Sequence, residues 1–495
     1  MFKKYILEPY LVRAASFPSR NAFCISGVYF TYTDLIQKTA SIARALNDNS
    51  QVQIGLVAND DLATYASILA IWFTGKSFVP LNPTSPAARN KNIIDQVGLT
   101  TILNSNKACE QIIEDFDSSV QFLQQLLTDA ELDNQLAYIF FTSGSTGIPK
   151  GVMISKKNVA SFIEAFEALG YNIDETDRCL QMFDLTFDLS VMSFLVPLLK
   201  GACVYTVPKD KVKYGYIFEL MEEKELTVAL MVPSILNYLR PYFPEICCPK
   251  MKYSLFCGEA LAVDIVEEWA KCLPNARIDN VYGPTENTIF CTCYTFKREG
   301  GNSALNGIMS IGKPMLNNLA VVFNYNNKPA QNDEIGELCL GGSQLTSGYF
   351  KNSELNMDLF FSTEYHGILT RFYRTGDLCV NKVDGNLAYS GRKDFQVKIQ
   401  GFRIELSEIE FYAKKITLYN YNVLALAIKN NLNNFEIALV FEAKEFDYSV
   451  LKENLSSALP SYMVPTQYYF IKSFPLNVNG KIDRNVLYNI LNITY

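Results

Sequence analysis

The sequence predicts an α/β protein whose large N-terminal part ends in a β-rich subdomain and is followed by a small α+β domain. Three observations lead there. Apolar helical periodicities alternate with short apolar runs over the first 280 residues or so, which implies a parallel α/β arrangement. From about residue 311 to 389 the pattern changes to short strands separated by Gly, Asn and Asp. The charged stretch Gly391-Arg-Lys-Asp394 then precedes a final unit of about 100 residues with its own strand and helix signals.

In order along the chain, Thr33 is placed to cap a helix whose apolar positions Leu35, Ile42 and Leu46 recur at helical spacing. A second helix is expected over residues 61–73, with strands at 53–57 and 101–103. The β-rich part should hold strands at 320–323, 336–340 and 385–389. The last unit reads as strand 396–399, helix 407–416, strands 423–428 and 436–441, and helix 448–459. The expected division is therefore 1–393 and 394–495.

A chain of 495 residues exceeds one ordinary core, and 49% apolar with 19% charged residues is a globular balance. The net charge of −7, with no basic run, excludes a nucleic-acid backbone as an expected partner. The longest apolar run, residues 67–81, is broken by Gly75-Lys76, so no integral membrane segment is expected. Glu8, Pro9 and Arg13 interrupt the start before a signal-peptide core forms, which points to the cytoplasm. The twelve cysteines show no zinc spacing, and His366 is the only histidine. Chemistry that needs a histidine base or several imidazole ligands is thereby disfavoured.

The apolar run Leu136-Ala-Tyr-Ile-Phe-Phe141 leads into Thr142-Ser-Gly-Ser-Thr-Gly-Ile-Pro-Lys-Gly151. Glycines let amides converge on an anion, hydroxyls add donors, and lysine adds a point charge, so the stretch reads as a phosphate loop. It is not a Walker A loop, because Lys150 is followed by glycine rather than Ser or Thr. The whole stretch resembles the signature of the adenylate-forming superfamily of acyl-CoA synthetases, luciferases and peptide-synthetase adenylation domains. Further motifs of that superfamily follow in order: Tyr282-Gly-Pro-Thr-Glu286, Gly336-Glu-Leu-Cys-Leu-Gly-Gly342, Tyr373-Arg-Thr-Gly-Asp377, Gln400-Gly-Phe-Arg-Ile-Glu405 and Asn479-Gly-Lys-Ile-Asp-Arg484.

The resemblance implies a C-terminal domain that rotates about a hinge at Asp394, and a carboxylate that attacks the α-phosphorus of ATP without a general base. Thr142, Ser143, Gly144, Ser145, Thr146, Gly147 and Lys150 would cradle the phosphates, and Glu286 would hold Mg2+. Asn280, Tyr282, Gly283, Pro284 and Thr285 would line the adenine and phosphate side. Asp377 would take the ribose hydroxyls, with Tyr389 and Arg392 beside it, and Lys481 would bridge substrate carboxylate and α-phosphate.

Phe183-Asp-Leu-Thr-Phe-Asp-Leu-Ser190 resembles the segment whose aspartate binds the α-ammonium in amino-acid-activating members, which makes Asp188 that residue. The same resemblance places Leu189, Met192, Leu230, Leu255, Cys257, Val281, Ile289 and Phe290 around the side-chain pocket, an apolar set suited to a small uncharged amino acid. Phe-Asp-Leu-Ser-Val-Met192 and Leu-Phe-Cys-Gly-Glu259 are most similar to D-alanine:carrier-protein ligases, where a cysteine at the place of Cys257 helps to reject the wrong enantiomer. Phe290 is larger than its counterpart there, which keeps L-proline or another small L-amino acid as an alternative. A CoA ligase of a non-amino carboxylic acid is a further alternative, with Asp188 against it. Because no carrier domain follows Lys481, the expected acceptor is the phosphopantetheine thiol of a separate carrier protein.

Overall fold

The computed structural model describes residues 1–106, 115–127, 132–144, 147–476, 482–491 and 493. The chain divides into two compact units. The first comprises Met1–Pro83, Val97–Phe140 and Gly151–Lys393; the second comprises Thr84–Gln96, Phe141–Lys150 and Asp394–Tyr495. The long second segment starts at Asp394, while two short N-terminal segments join it, a grouping that linear motif order does not reveal.

The first unit holds three large sheets. One has nine strands in the order Lys313–Pro314, Thr292–Thr295, Arg277–Tyr282, Tyr253–Phe256, Val228–Met231, Arg178–Gln181, Cys203–Thr206, Asn21–Ile25 and Val28–Thr31. Its six central strands, Arg277–Tyr282 through Asn21–Ile25, pair in parallel and its outer pairs are antiparallel. A six-stranded sheet runs Gly348–Tyr349, Lys150–Ser155, Leu136–Thr142, Ser77–Leu81, Gln53–Val57 and Ile102–Leu103. Strands such as Ser77–Leu81 are buried along their whole length, as parallel strands covered on both faces must be. The helix Leu62–Phe73 is apolar nearly all round because it too lies inside, and its Trp72 Nε1 donates to the Ala137 carbonyl at 3.0 Å.

The β-rich subdomain is an antiparallel sheet of Asn318–Phe323, Ile335–Gly342, Ile368–Asn381 and Phe360–Tyr365, with Leu387–Arg392 also paired to the long strand Ile368–Asn381. In the second unit the hairpin Gln396–Ile399 and Phe402–Glu405 leads into the helix Leu406–Ile416. A three-stranded sheet of Val423–Lys429, Phe435–Glu442 and Gln467–Ile471 carries the helices Ser449–Ala458 and Arg484–Ile490.

The first-helix expectation needs one correction. Thr31, not Thr33, caps Tyr32–Asn47, because Thr31 and Asp34 satisfy each other's backbone amides in a capping box. Thr33 bonds the Pro18 carbonyl instead. Among the described residues no helix is long and apolar enough to cross a membrane.

Candidate active site

The amino-acid-side residues gather at the carboxyl ends of adjacent parallel strands, the usual place for ligands in open α/β sheets. Leu230 and Leu255 are register partners, and Leu255 pairs in turn with Asp279. Cys257 follows its strand directly, with its amide on the Met231 carbonyl at 3.0 Å. Leu189 and Met192 project from the helix Leu189–Lys200, and Val281 sits near the end of Arg277–Tyr282. These residues, with Ile289 and Phe290, are all buried within one contiguous apolar cluster. The Phe290 ring stands edge-on to Phe162 at 4.9 Å. Beside Met192 and Leu230 lies an apolar void of about 10 Å³, enough for about one water molecule.

Asp188 is the exception in that environment. It occupies the N-cap position of its helix, yet its own dihedrals are helical (φ −67°, ψ −23°) and its side chain makes no capping bond. The carboxylate is 3% exposed, and Oδ2 has no hydrogen-bond partner among the described residues. Burial pushes its pKa up to about 7; the Thr285 hydroxyl and the Ile289 and Leu189 amides pull it down, and the nearby Glu286 charge adds to the rise. A buried carboxylate oxygen left without a donor is costly unless a cation meets it.

The strand Arg277–Tyr282 runs into Gly283, Pro284 and the short turn Thr285–Asn287. A Cβ on Gly283 would run into the Phe290 backbone, so only glycine lets the loop close on itself. Glu286 is fully buried and accepts from Tyr349 Oη at 2.5 Å, while its carbonyl accepts the Thr346 amide. Tyr349 was not foreseen; nothing in the local pattern Ser-Gly-Tyr marks it. Among the described residues no group of three or more His, Cys, Asp or Glu side chains could hold a metal. One buried carboxylate is nevertheless a donor Mg2+ takes when substrate phosphates and waters supply the rest of its shell.

Asp377 lies across the ladder from Arg392. Arg392 Nη1 donates to Asp377 Oδ1 at 2.8 Å and to the Thr375 carbonyl at 3.1 Å, and Tyr282 Oη donates to Asp377 Oδ2 at 2.5 Å. The carboxylate is thus held rigidly, with lone pairs left on both oxygens. The direct bond from Tyr282 joins two motifs 95 residues apart. Tyr389 packs against the cluster containing Tyr282, Cys291 and Leu338. The Asn280 amide is spent internally, donating to the Ser310 carbonyl at 3.0 Å.

The phosphate-loop residues fall in the second unit. Gly144 is tightly enclosed, since a Cβ there would strike the Ile148 carbonyl, and Gly147 takes φ 76°. Two carboxylates meet this loop: Glu408 Oε2 accepts the Gly144 amide at 3.3 Å, and Glu405 lies 3.5 Å from Lys150 Nζ. Glu408 also pairs with Arg89 at 2.8 Å. Ser143 Oγ donates to the Arg403 carbonyl at 2.8 Å and accepts the Glu405 amide. Thr142 Oγ1 is buried with no partner among the described residues. Amides, a hydroxyl and a lysine that attract carboxylates have the chemistry of an anion cradle. Ser145, Thr146 and Lys481 lie outside the described residues.

A family model described as AMP-binding enzyme matches residues 11–350. Zwittermicin A synthase ZmaJ of Bacillus cereus is 30% identical over 97% of this chain and 94% of its own length. Tyrocidine synthase 3 of Brevibacillus parabrevis is 31% identical over 97% of this chain, which spans only 8% of that synthase. The same fold is found in the Vibrio cholerae adenylation domain AlmE, solved with glycyl-adenosine-5'-phosphate, at a TM-score of 0.86 and 24% identity over 98% of this chain and 97% of that one. Holo-PA1221, with adenylation and PCP domains, superposes at 0.81 and 22% identity over 98% and 84%.

Proposed function

The chain belongs to the AMP-binding enzyme family, and on that premise we propose that it activates a small uncharged amino acid with ATP and loads it on a carrier protein. The observation that carries the reading is the buried Asp188 carboxylate, unpartnered at Oδ2 among the described residues and placed at the head of the apolar helix Leu189–Lys200. It suits an α-ammonium and has no use in binding a fatty or aryl acid.

In the first step one oxygen of the amino-acid carboxylate bonds to the α-phosphorus of ATP. The bond from that phosphorus to the bridging oxygen breaks and pyrophosphate leaves. Asp188 orients the amino acid, Asp377 holds the ribose and the 142–150 loop binds phosphates. Glu286 would hold Mg2+, which screens the phosphate charge. Lys481, carried by a C-terminal domain hinged at Asp394, would bridge the two reacting anions. In the second step the phosphopantetheine thiol, losing its proton, bonds to the acyl carbon and AMP leaves. The expected setting is the cytoplasm.

D-alanine is the first substrate to try, with L-proline as the alternative. Glycine joins them because AlmE was solved with a glycyl-adenylate and the peptide synthetase AB3403, 27% identical over 97% of this chain, with AMP and glycine. ATP–pyrophosphate exchange across glycine and D- and L-amino acids tests the proposal. Exchange with a small amino acid is expected; activity on fatty or aryl acids alone would overturn the reading. Lys481→Ala should lower exchange roughly 100-fold or more while ATP still binds.

A further inference from the structure

The loop that carries Glu286 ends in a turn its own residues disfavour. Thr288 (φ 53°) and Ile289 (φ 73°) both stand in the left-handed region. Such a backbone state is unfavourable for β-branched side chains and persists only where the surroundings over-determine it. Two in succession need a firm holder.

Gln344 is that holder. It is fully buried, just beyond the strand Ile335–Gly342. Its Nε2 shares two hydrogens among the carbonyls of Phe290 at 2.9 Å, Thr288 at 3.1 Å and Asn287 at 3.2 Å. Its Oε1 accepts from Asn318 Nδ2 at 2.6 Å, and its own carbonyl accepts the Thr288 hydroxyl at 2.6 Å. The side chain is anchored at one end and grips the turn with the other. Two consequences follow for the site: Ile289, whose amide lies beside the Asp188 carboxylate, is fixed in place, and the Phe290 ring is held edge-on to Phe162 within the apolar cluster.

We infer that Gln344 is a positioning residue for substrate selection, acting through the Thr288–Ile289 turn on the Asp188 carboxylate and the Phe290 ring without touching the substrate. This inference rests on the amino-acid reading above. The gripped carbonyls belong to Asn287, Thr288 and Phe290, beyond the 283–286 stretch that would meet ATP and Mg2+, so the amino-acid side should respond more than the ATP side.

The test is Gln344→Met, which keeps the length and removes the donors, assayed by ATP–pyrophosphate exchange with both substrates varied. The amino-acid KM should rise roughly ten-fold, the ATP KM should stay within about two-fold, and discrimination between smaller and larger amino acids should narrow. Thr288→Gly added to Gln344→Met should recover part of the amino-acid KM, because glycine takes positive φ without a holder. A parallel rise in both KM values, an unchanged amino-acid KM, or no recovery by glycine would overturn the inference. If Gln344→Met fails to fold, Asn318→Ala, which frees only the anchored end, should shift the amino-acid KM in the same direction by less; no shift would overturn it equally. If the wild type activates only acids without an amino group, the amino-acid reading falls, and the same KM comparison on that acid still decides the part of Gln344.

Discussion

At Asp188, structure and chemistry oppose each other until substrate arrives. Burial raises its pKa from 3.8 to about 7, so between those values the folded chain retains a proton the unfolded chain has lost. Its contribution to stability is full below about pH 4 and is lost as pH rises through about 7. Asp188→Asn should therefore raise the melting temperature more at pH 8 than at pH 5, the difference corresponding to at most about 3 kcal/mol. The same substitution should abolish exchange with amino acids. In the wild type, amino-acid kcat/KM should fall about ten-fold per unit below pH 7, because the ammonium needs the ionised carboxylate. A pH-rate profile without that limb would remove Asp188 from ammonium binding. The sequence showed a carboxylate in an apolar stretch; that one of its oxygens stays unpartnered among the described residues depends on how the 285–289 turn folds against it.

The loop from Tyr282 to Cys291 is the element on which the site turns. It closes because Gly283 has no side chain to meet Phe290 and because the Cys291 amide returns to the Tyr282 carbonyl at 2.8 Å. Gly283→Ala places carbon against backbone, which no rotamer can relieve. It should cost about 1–3 kcal/mol and most of the exchange activity, read from thermal melts and initial rates. Gly215, inside the helix Lys213–Glu223, meets nothing within 4 Å. Gly215→Ala should stabilise by about 0.5–1 kcal/mol and leave activity intact, so a shared response would refute the packing explanation. Element boundaries were readable to within a residue or two where periodicity was strong, as at Leu62–Phe73 and Gln396–Ile399. The cap at Thr31 was misread because Thr33, two residues on, offers the same hydroxyl, and only the partner Asp34 distinguishes them.

For the molecule as a whole, the second unit carries its own apolar interior. Its two buried clusters, one around Ile404, Ile409 and Leu455 and the other around Leu426, Val440 and Leu487, draw only on residues beyond 394. A fragment of residues 394–495 should accordingly melt as one cooperative transition by circular dichroism; a featureless melt would show that the segments 84–96 and 141–150 are required. The order of motifs, the change from parallel to antiparallel patterning, and the residue types needed for phosphate and carboxylate chemistry could all be read along the chain, because backbone periodicity and glycine placement are local properties. The Tyr282–Asp377–Arg392 network, the Tyr349 hold on Glu286 and the Gln344 grip on a strained turn could not. Each joins positions that lie tens of residues apart in at least one contact, and only the folded sheets bring such atoms within hydrogen-bond reach.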